Sequence, residues 1–363
     1  VKNPLRVLIV EYFCAGGGGR RVSATLLAEA RMMLGAILDD IAALPGVRIL
    51  TLRRRSLALD LAPPHEARVL SGCGFETAFA CALRECDAAL VVAPEGDGVL
   101  WRLTRAVEAA GALNLGSSSS AVRTASDKWR TYRALGRAGV PQPWSALVPA
   151  RGRVSLDQIE RRWRYARGVS GAPGGWILKP LDGYGCLGLR AVPAGGNLST
   201  ALRAARAYTR RTRVLIQERL SGADASVSLI GDGRRAVALC LNHQRLRKGE
   251  VFEYLGGSAP LAHPGAAGAL RVARRIASAI PGLRGYFGMD LILGVDGARV
   301  VDVNPRLTSS YIGLRRVFGR NPAAWILDAA VRGKLPSRAR ARGRVEFSLS
   351  CPTSSAGTSA ASI

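Results

Sequence analysis

The sequence predicts a mixed α/β and α+β protein, with a parallel N-terminal domain and a larger α+β module after it. Three observations predict this. Apolar strands and amphipathic helices alternate through the first 111 residues, the pattern of a parallel sheet covered by helices. A serine run, Ser117–Ser120, then reads as a linker. Beyond it, strand-like segments follow one another closely, and the last two are joined by Asp296-Gly297, a hairpin-turn dipeptide.

The elements follow in order. LRVLIV (5–10) is a buried strand that ends at Gly16–Gly19, and a helix is expected over 22–43. Glu11 breaks the apolar run, so strand-then-glycine-turn is a better reading than a signal peptide. The glycine run fails as a dinucleotide fingerprint because Arg21 stands where the last glycine is needed. VRILTL and CDAALVVAP (86–94) are further strands, and LWRLTRAVEAAG (100–111) is a helix closed by glycine. Ser126 or Asp127 caps a helix that stops at Gly139. Strands are expected at 176–181, 214–220, 225–231 and 235–242, a helix over 265–280, and a hairpin from FGMDLILGV and ARVVDVN. The predicted domains are 1–116, 117–335 with a flexible lobe at about 143–215, and a disordered tail over 336–363.

Composition excludes several classes. At 48% hydrophobic the chain is globular, and no apolar run reaches the length of a membrane span. Seven cysteines contain no CxxC pair, which argues for free thiols and a cytoplasmic protein. The formal charge of +26 invites a nucleic-acid reading, but the arginines are scattered and lack interleaved aromatics. Only five lysines occur (2, 128, 179, 248 and 334). In an arginine-rich chain, a retained lysine points to a task that a guanidinium performs poorly.

Three segments carry chemistry. In RVVDVNPR, Asp302 and Asn304 stand two positions apart and so share one strand face. The hairpin turn brings Asp290 opposite the neighbourhood of Asp302, and burying two carboxylates beside an amide calls for a compensating cation. Hard oxygen donors of this kind suit Mg²⁺, with Arg306 just beyond. In WILKPLDGYGCLGLR, Lys179 ends a strand and Gly183 and Gly185 belong to a loop whose backbone can close over phosphates. LIQERLSGAD is a strand and turn that can present Gln217 and backbone groups to a base edge, with Asp224 for hydroxyls. Each segment alone has a plain structural reading, as a hairpin, a turn or a paired acid.

Together and in this order the segments resemble the ATP-grasp superfamily over about 85–335. The resemblance implies an ATP-grasp fold behind a Rossmann-like pre-ATP-grasp domain. It implies that Lys128 and Lys179 hold ATP phosphates, that Gln217, Arg219 and Leu220 frame adenine, the last two by backbone, and that Asp224 holds ribose. Asp290, Asp302 and Asn304 would bind Mg²⁺ (or Mn²⁺), and Arg306 would contact the transferring phosphate. Asp302 and Asp224 stand where many members carry glutamate. VEYFCAGGG, APEGDGVLWRLT, EYLGGSAP and DVNPRLTSSYIGLRR are similar to the tyramine–glutamate ligase group, linked to methanofuran-type cofactors. The expected reaction is ADP-forming amide synthesis from a carboxylate and an amine through an acylphosphate. Small-molecule substrates are the expected partners, with neither membrane nor nucleic acid, and a homo-oligomer is left open. Arg245, Arg247 and Lys248 are expected to meet a substrate carboxylate, Phe252 or Tyr254 to meet an aromatic amine, and His243 is a further candidate contact. The alternatives are a ligase for another amino acid, a phosphotransferase of the same fold, or a basic nucleic-acid binder.

Overall fold

The computed structural model describes residues 3–18, 22–59, 61–70, 74–337 and 339–349. The N-terminal unit comprises β1 (Leu5–Glu11), α1 (Ala24–Ala42), β2 (Val47–Arg53), β3 (Glu66–Val69), α2 (Phe75–Arg84), β4 (Ala88–Val92), α3 (Val99–Ala109) and β5 (Leu113–Asn114). Its strands run parallel in the order β3-β2-β1-β4-β5. The unbroken apolar run of β1 follows from burial on both faces. Val7 and Ile9 pack with Leu34 and Ile37 of α1, whereas Leu8 and Val10 pack with Phe79 of α2 and Leu103 of α3. Sequence patterning passed over β3 and α2, a short polar edge strand and the helix after it.

Two short helices, α4 (Ser119–Ala125) and α5 (Lys128–Arg137), lead onward. The expected linker at Ser117–Ser120 is therefore corrected. Ser118 caps α4, its hydroxyl accepting from Ala121 N, and its own N–H donates to Gly282 O at 2.9 Å. Serine runs serve caps as readily as linkers because the hydroxyl satisfies an orphan helix amide.

A small lobe follows, with β6 (Ser145–Pro149), α6 (Leu156–Arg167), β7 (Trp176–Pro180), β8 (Arg190–Val192), α7 (Leu198–Arg206) and β9 (Arg213–Glu218). Its antiparallel sheet has the order β6-β9-β7-β8. Trp163, Trp176 and Leu202 lie in its core.

The large lobe carries β10 (Ala223–Asp232), β11 (Ala236–Lys248), β12 (Phe252–Ala259), α8 (Ala266–Arg274), α9 (Ile276–Ala279), β13 (Arg284–Gly294), β14 (Gly297–Asn304), α10 (Leu314–Phe318), α11 (Pro322–Arg332) and β15 (Val345–Ser348). The sheet order is β14-β13-β10-β11-β12-β15, with antiparallel pairing throughout. The tail expectation is corrected here: Val345–Ser348 pairs with β12, burying Phe347 and Leu349, while residues 350–363 lie outside the described residues. The predicted strand at 235–242 also runs on to Lys248.

The N-terminal unit and the large lobe share one core. Leu34, Ile37 and Ile41 of α1 belong to the same buried cluster as Tyr286, Tyr311, Phe318 and Ile326. Tyr311 Oη donates to Asp40 Oδ2 at 2.7 Å within it. At the other side, the tip of the β11–β12 hairpin reaches the small lobe, where Ala191 N donates to Glu250 O at 3.1 Å. Among the described residues no helix is long and apolar enough to cross a membrane, and the five described cysteines are free thiols.

Candidate functional site

A cleft of about 390 Å³ opens where the two lobes and α1 meet. Its floor is the β13–β14 hairpin. Gly297, at φ 99°, makes the tight turn, and the register then sets Asp290 opposite Asp302 and Gly288 opposite Asn304. The register contains a bulge that sequence reading did not foresee: Leu291 pairs with Val300 and Asp290 with Asp302, which leaves Val301 unopposed. Without it, Val300 and Asp302 would share a face. With it, Val300 and Val303 are buried in the core and Asp302 and Asn304 line the cleft.

The acids are held by specific donors. Gln244 Nε2 donates to Asp290 Oδ1 at 2.9 Å, and Asn304 Nδ2 donates to Asp290 Oδ2 at 3.0 Å. Burial, with the Asp302 charge added, raises the Asp290 carboxyl to about 6 despite these bonds. A cation between the two carboxylates would reverse both effects, so this oxygen-rich set fits a hard divalent ion.

Both predicted lysines reach the same place. Lys128 is the first residue of α5, whose cap Asp127 accepts from Trp129 N at 3.1 Å and Arg130 N at 3.0 Å. Its N–H donates to Leu181 O at 2.9 Å, which ties the helix start to the end of β7. Its ammonium pairs with Asp302. Burial opposes that charge, but Asp302 outweighs it and the pKa is raised. Lys179, on β7 and buried, donates to the bulged Val301 carbonyl at 3.3 Å. Burial first, and the neighbouring Lys128 charge against the help of Asp302, depresses it to about 8.

Arg306 is clamped by a residue that sequence reading missed. Its Nε and Nη2 donate to Glu95 Oε1 at 2.8 Å and Oε2 at 3.0 Å. Glu95 follows β4 at the carboxyl end of the parallel sheet, where α/β sites form, and that position was the available signal. Glu11, at the same sheet end, accepts from Cys14 N at 2.7 Å, and burial raises it to about 7. The glycine loop covers the cleft, with Gly183, Gly185 and Cys186 lining it. Tyr184 leans from this loop onto the N-terminal unit, 6.3 Å between ring centroids from Phe13 and against Gly96. Cys186 adopts φ 63°, and burial pushes its thiol up to about 12, so it is an inert lining group.

The rest of the predicted set is divided. Asp224 lines the cleft but is paired with Lys248 at 2.6 Å. The expected adenine frame lies outside the cleft lining: Gln217 is buried in the small-lobe sheet and donates to Ser145 Oγ at 3.0 Å. Arg219 donates its backbone N–H to Gly175 O at 3.0 Å, Leu220 is half-buried, and none of the three lines the cleft. The expected carboxylate-binding cations are also corrected. Arg245 pairs with Glu346, Arg247 with Glu253 and Lys248 with Asp224, and none lines the cleft. Phe252 and Tyr254 do line it, whereas His243 does not and its neighbour Gln244 does.

A family model described as "ATP-grasp domain" matches residues 125–310, just over half of the chain, and a "pre ATP-grasp 3 domain" model matches 47–122. A tyramine–L-glutamate ligase from Methanocaldococcus jannaschii is 28% identical over 229 residues, 63% of this chain and 58% of that protein. A namesake from Methanocaldococcus fervens is 27% identical over the same length, 62% of its own. The chain thus spans less than two thirds of these relatives. A crystal structure of an ATP-grasp superfamily protein from Archaeoglobus fulgidus superposes with a TM-score of 0.64 at 22% identity, over 94% of this chain and 91% of that one. The three sheets, the cleft between the lobes and these matches agree: the chain belongs to the ATP-grasp family, with a pre-ATP-grasp domain at its N-terminal side.

Proposed function

We propose that the chain is an ATP-dependent carboxylate–amine ligase that joins L-glutamate to tyramine or a close aromatic amine, releasing ADP and phosphate. The observation that carries this reading is the convergence of Lys128, Lys179, Asp290, Asp302, Asn304 and Arg306 in one cleft beneath a glycine loop. The choice of acid and amine rests on the names of the two archaeal relatives.

A carboxylate oxygen is a poor leaving group and phosphate a good one, so the acid must be activated before an amine can displace it. Lys128 and Lys179 supply compact positive charge for phosphate oxygens, and Arg306 supplies a fixed guanidinium for the phosphoryl group in transfer. Asp290, Asp302 and Asn304 would hold Mg²⁺, which, when bound, neutralises the phosphates. Lys128 then exchanges its Asp302 partner for the nucleotide. Gly183 and Gly185 let the loop backbone approach the phosphates. The buried β13–β14 floor keeps water from the acylphosphate, which would otherwise hydrolyse.

The test is incubation with MgATP, glutamate and tyramine, with mass spectrometry for γ-glutamyltyramine and an assay for ADP. Product that requires all three substrates is expected. Product from another acid–amine pair instead would reassign the substrates and keep the ligase. No ATP consumption with any pair would overturn the proposal.

A further inference from the structure

Five carboxylates line the cleft: Glu29, Asp224, Glu253, Asp290 and Asp302. Four are engaged. Asp302 pairs with Lys128, Asp224 with Lys248 and Glu253 with Arg247, and Asp290 accepts from Gln244 and Asn304. Glu29 is different. Among the described residues no cation pairs with it, and Ser309 lines the cleft beside it. Tyr254, on which the Glu29 charge acts, lines the cleft as well. Thr25 and Leu26, one turn earlier on α1, complete this wall. The cation whose charge acts on Glu29 is Arg306, which Glu95 already holds with both oxygens.

We propose that Glu29 receives the primary ammonium of the amine substrate and takes one proton from it, so that the free amine can attack. This inference rests on the ligase reading and extends it. A half-buried carboxylate without a counter-charge, with a phenol and an aliphatic side chain beside it, matches a cation on an apolar aromatic body. It does not match the ammonium of an amino acid, because the adjoining carboxylate would need its own cation here and Arg306 is committed.

The balance is as follows. The ammonium gives one proton to Glu29, and the free amine adds to the acylphosphate carbonyl. The C–N bond forms, the C–O bond to phosphorus breaks, and the departing phosphate carries the second nitrogen proton. Glu29 then releases its proton to solvent. Burial raises the Glu29 carboxyl from its ordinary value, which makes it a stronger proton acceptor.

Hydroxylamine separates the steps, because it is a neutral nucleophile that captures an acylphosphate without giving up a proton first. The full chain is assayed with MgATP and glutamate, with either hydroxylamine or tyramine as acceptor. For Glu29→Gln, amide formation should fall about 100-fold more than hydroxamate formation, the range of a lost general base. Glu29→Asp should recover part of that loss, and thermal melting checks that both variants fold. Hydroxamate and amide falling together, or neither falling, would overturn the role of Glu29. A parent protein that makes no hydroxamate from any carboxylate would instead overturn the ligase reading beneath it.

Discussion

Arg306 and Glu95 meet in a two-point ion pair, at 2.8 and 3.0 Å, although 211 positions separate them in the chain. One comes from the end of the large-lobe hairpin and the other from the loop after β4, so the guanidinium is aimed by the neighbouring domain. Both side chains are largely buried, which means that neither charge is well solvated without the other.

Replacing Glu95 by Gln should therefore cost stability and activity together. We predict destabilisation of about 3 kcal/mol, the scale for leaving a buried charge unpaired, read by urea unfolding. ADP release should fall at least about tenfold, since a guanidinium free to swing no longer sits where phosphoryl charge develops. Wild-type turnover in Glu95→Gln would show that Arg306 needs no such aiming.

Asp302→Asn and Asp290→Asn should each lower turnover by about 100-fold or more at saturating Mg²⁺; Asp290→Asn should melt close to the parent, whereas Asp302→Asn, which leaves the Lys128 ammonium unpaired, should melt lower. The motivation is the facing pair at the cleft floor, whose mutual charge is tolerable only with a cation present. Two active variants would remove the metal assignment.

Lys179 makes a pH prediction. Its pKa of about 8 lies below that of a free lysine, so the unfolded chain holds the proton more firmly. The stability this group contributes is present above the unfolded value and is lost as pH falls through about 8. Nucleotide binding has the opposite requirement, because phosphates select the ammonium. MgATP affinity should weaken as pH rises above about 8, and Lys179→Met should flatten that slope. Lys179→Arg should impair ATP binding in spite of its charge, since a planar fork replaces a compact ammonium in a packed site. Equal affinity in Lys179→Arg, measured by calorimetry, would contradict this.

Gly285, the second residue of β13, has φ 62°, and an added Cβ would lie 2.1 Å from the Leu115 carbonyl oxygen. Neither the backbone angle nor the contact is relieved by a rotamer change. Gly285→Ala should cost more than about 1 kcal/mol and should separate the segment after β5 from the large lobe, visible as a lower melting temperature. An unchanged melting curve would refute the close approach.

The architecture was legible because the hydrophobic pattern of each element agrees with its surroundings. A parallel strand buried on both faces reads as an unbroken apolar run, and LRVLIV became β1. Asp296-Gly297 became the turn it announced, and that turn, together with the Val301 bulge, set Asp290 against Asp302. What escaped reading depends on partners distant in sequence. Gln217 was assigned by its place at a strand end, but its side chain is set by Ser145, on a strand 72 positions earlier. Arg247 and Lys248 were read as open cations, and each met an acid across its own hairpin or the next strand. Glu95 and Glu29 drew no notice because an acid after a strand, or within a helix, is ordinary until the fold shows what it faces. The tail was judged by its serine-rich end, which hid the four-residue strand before it.

Val301 has no residue opposite it, and every pair on either side of it would survive its removal. A chain shortened there by one residue would still set Leu291 against Val300 and Asp290 against Asp302, as a regular ladder. It would lack only the carbonyl that receives the Lys179 ammonium. Chain length between Gly297 and Asn304 is thus a constraint separate from the identity of the side chains: Val301→Ala should be nearly silent, whereas deleting the residue should leave a folded hairpin and a lysine without its anchor.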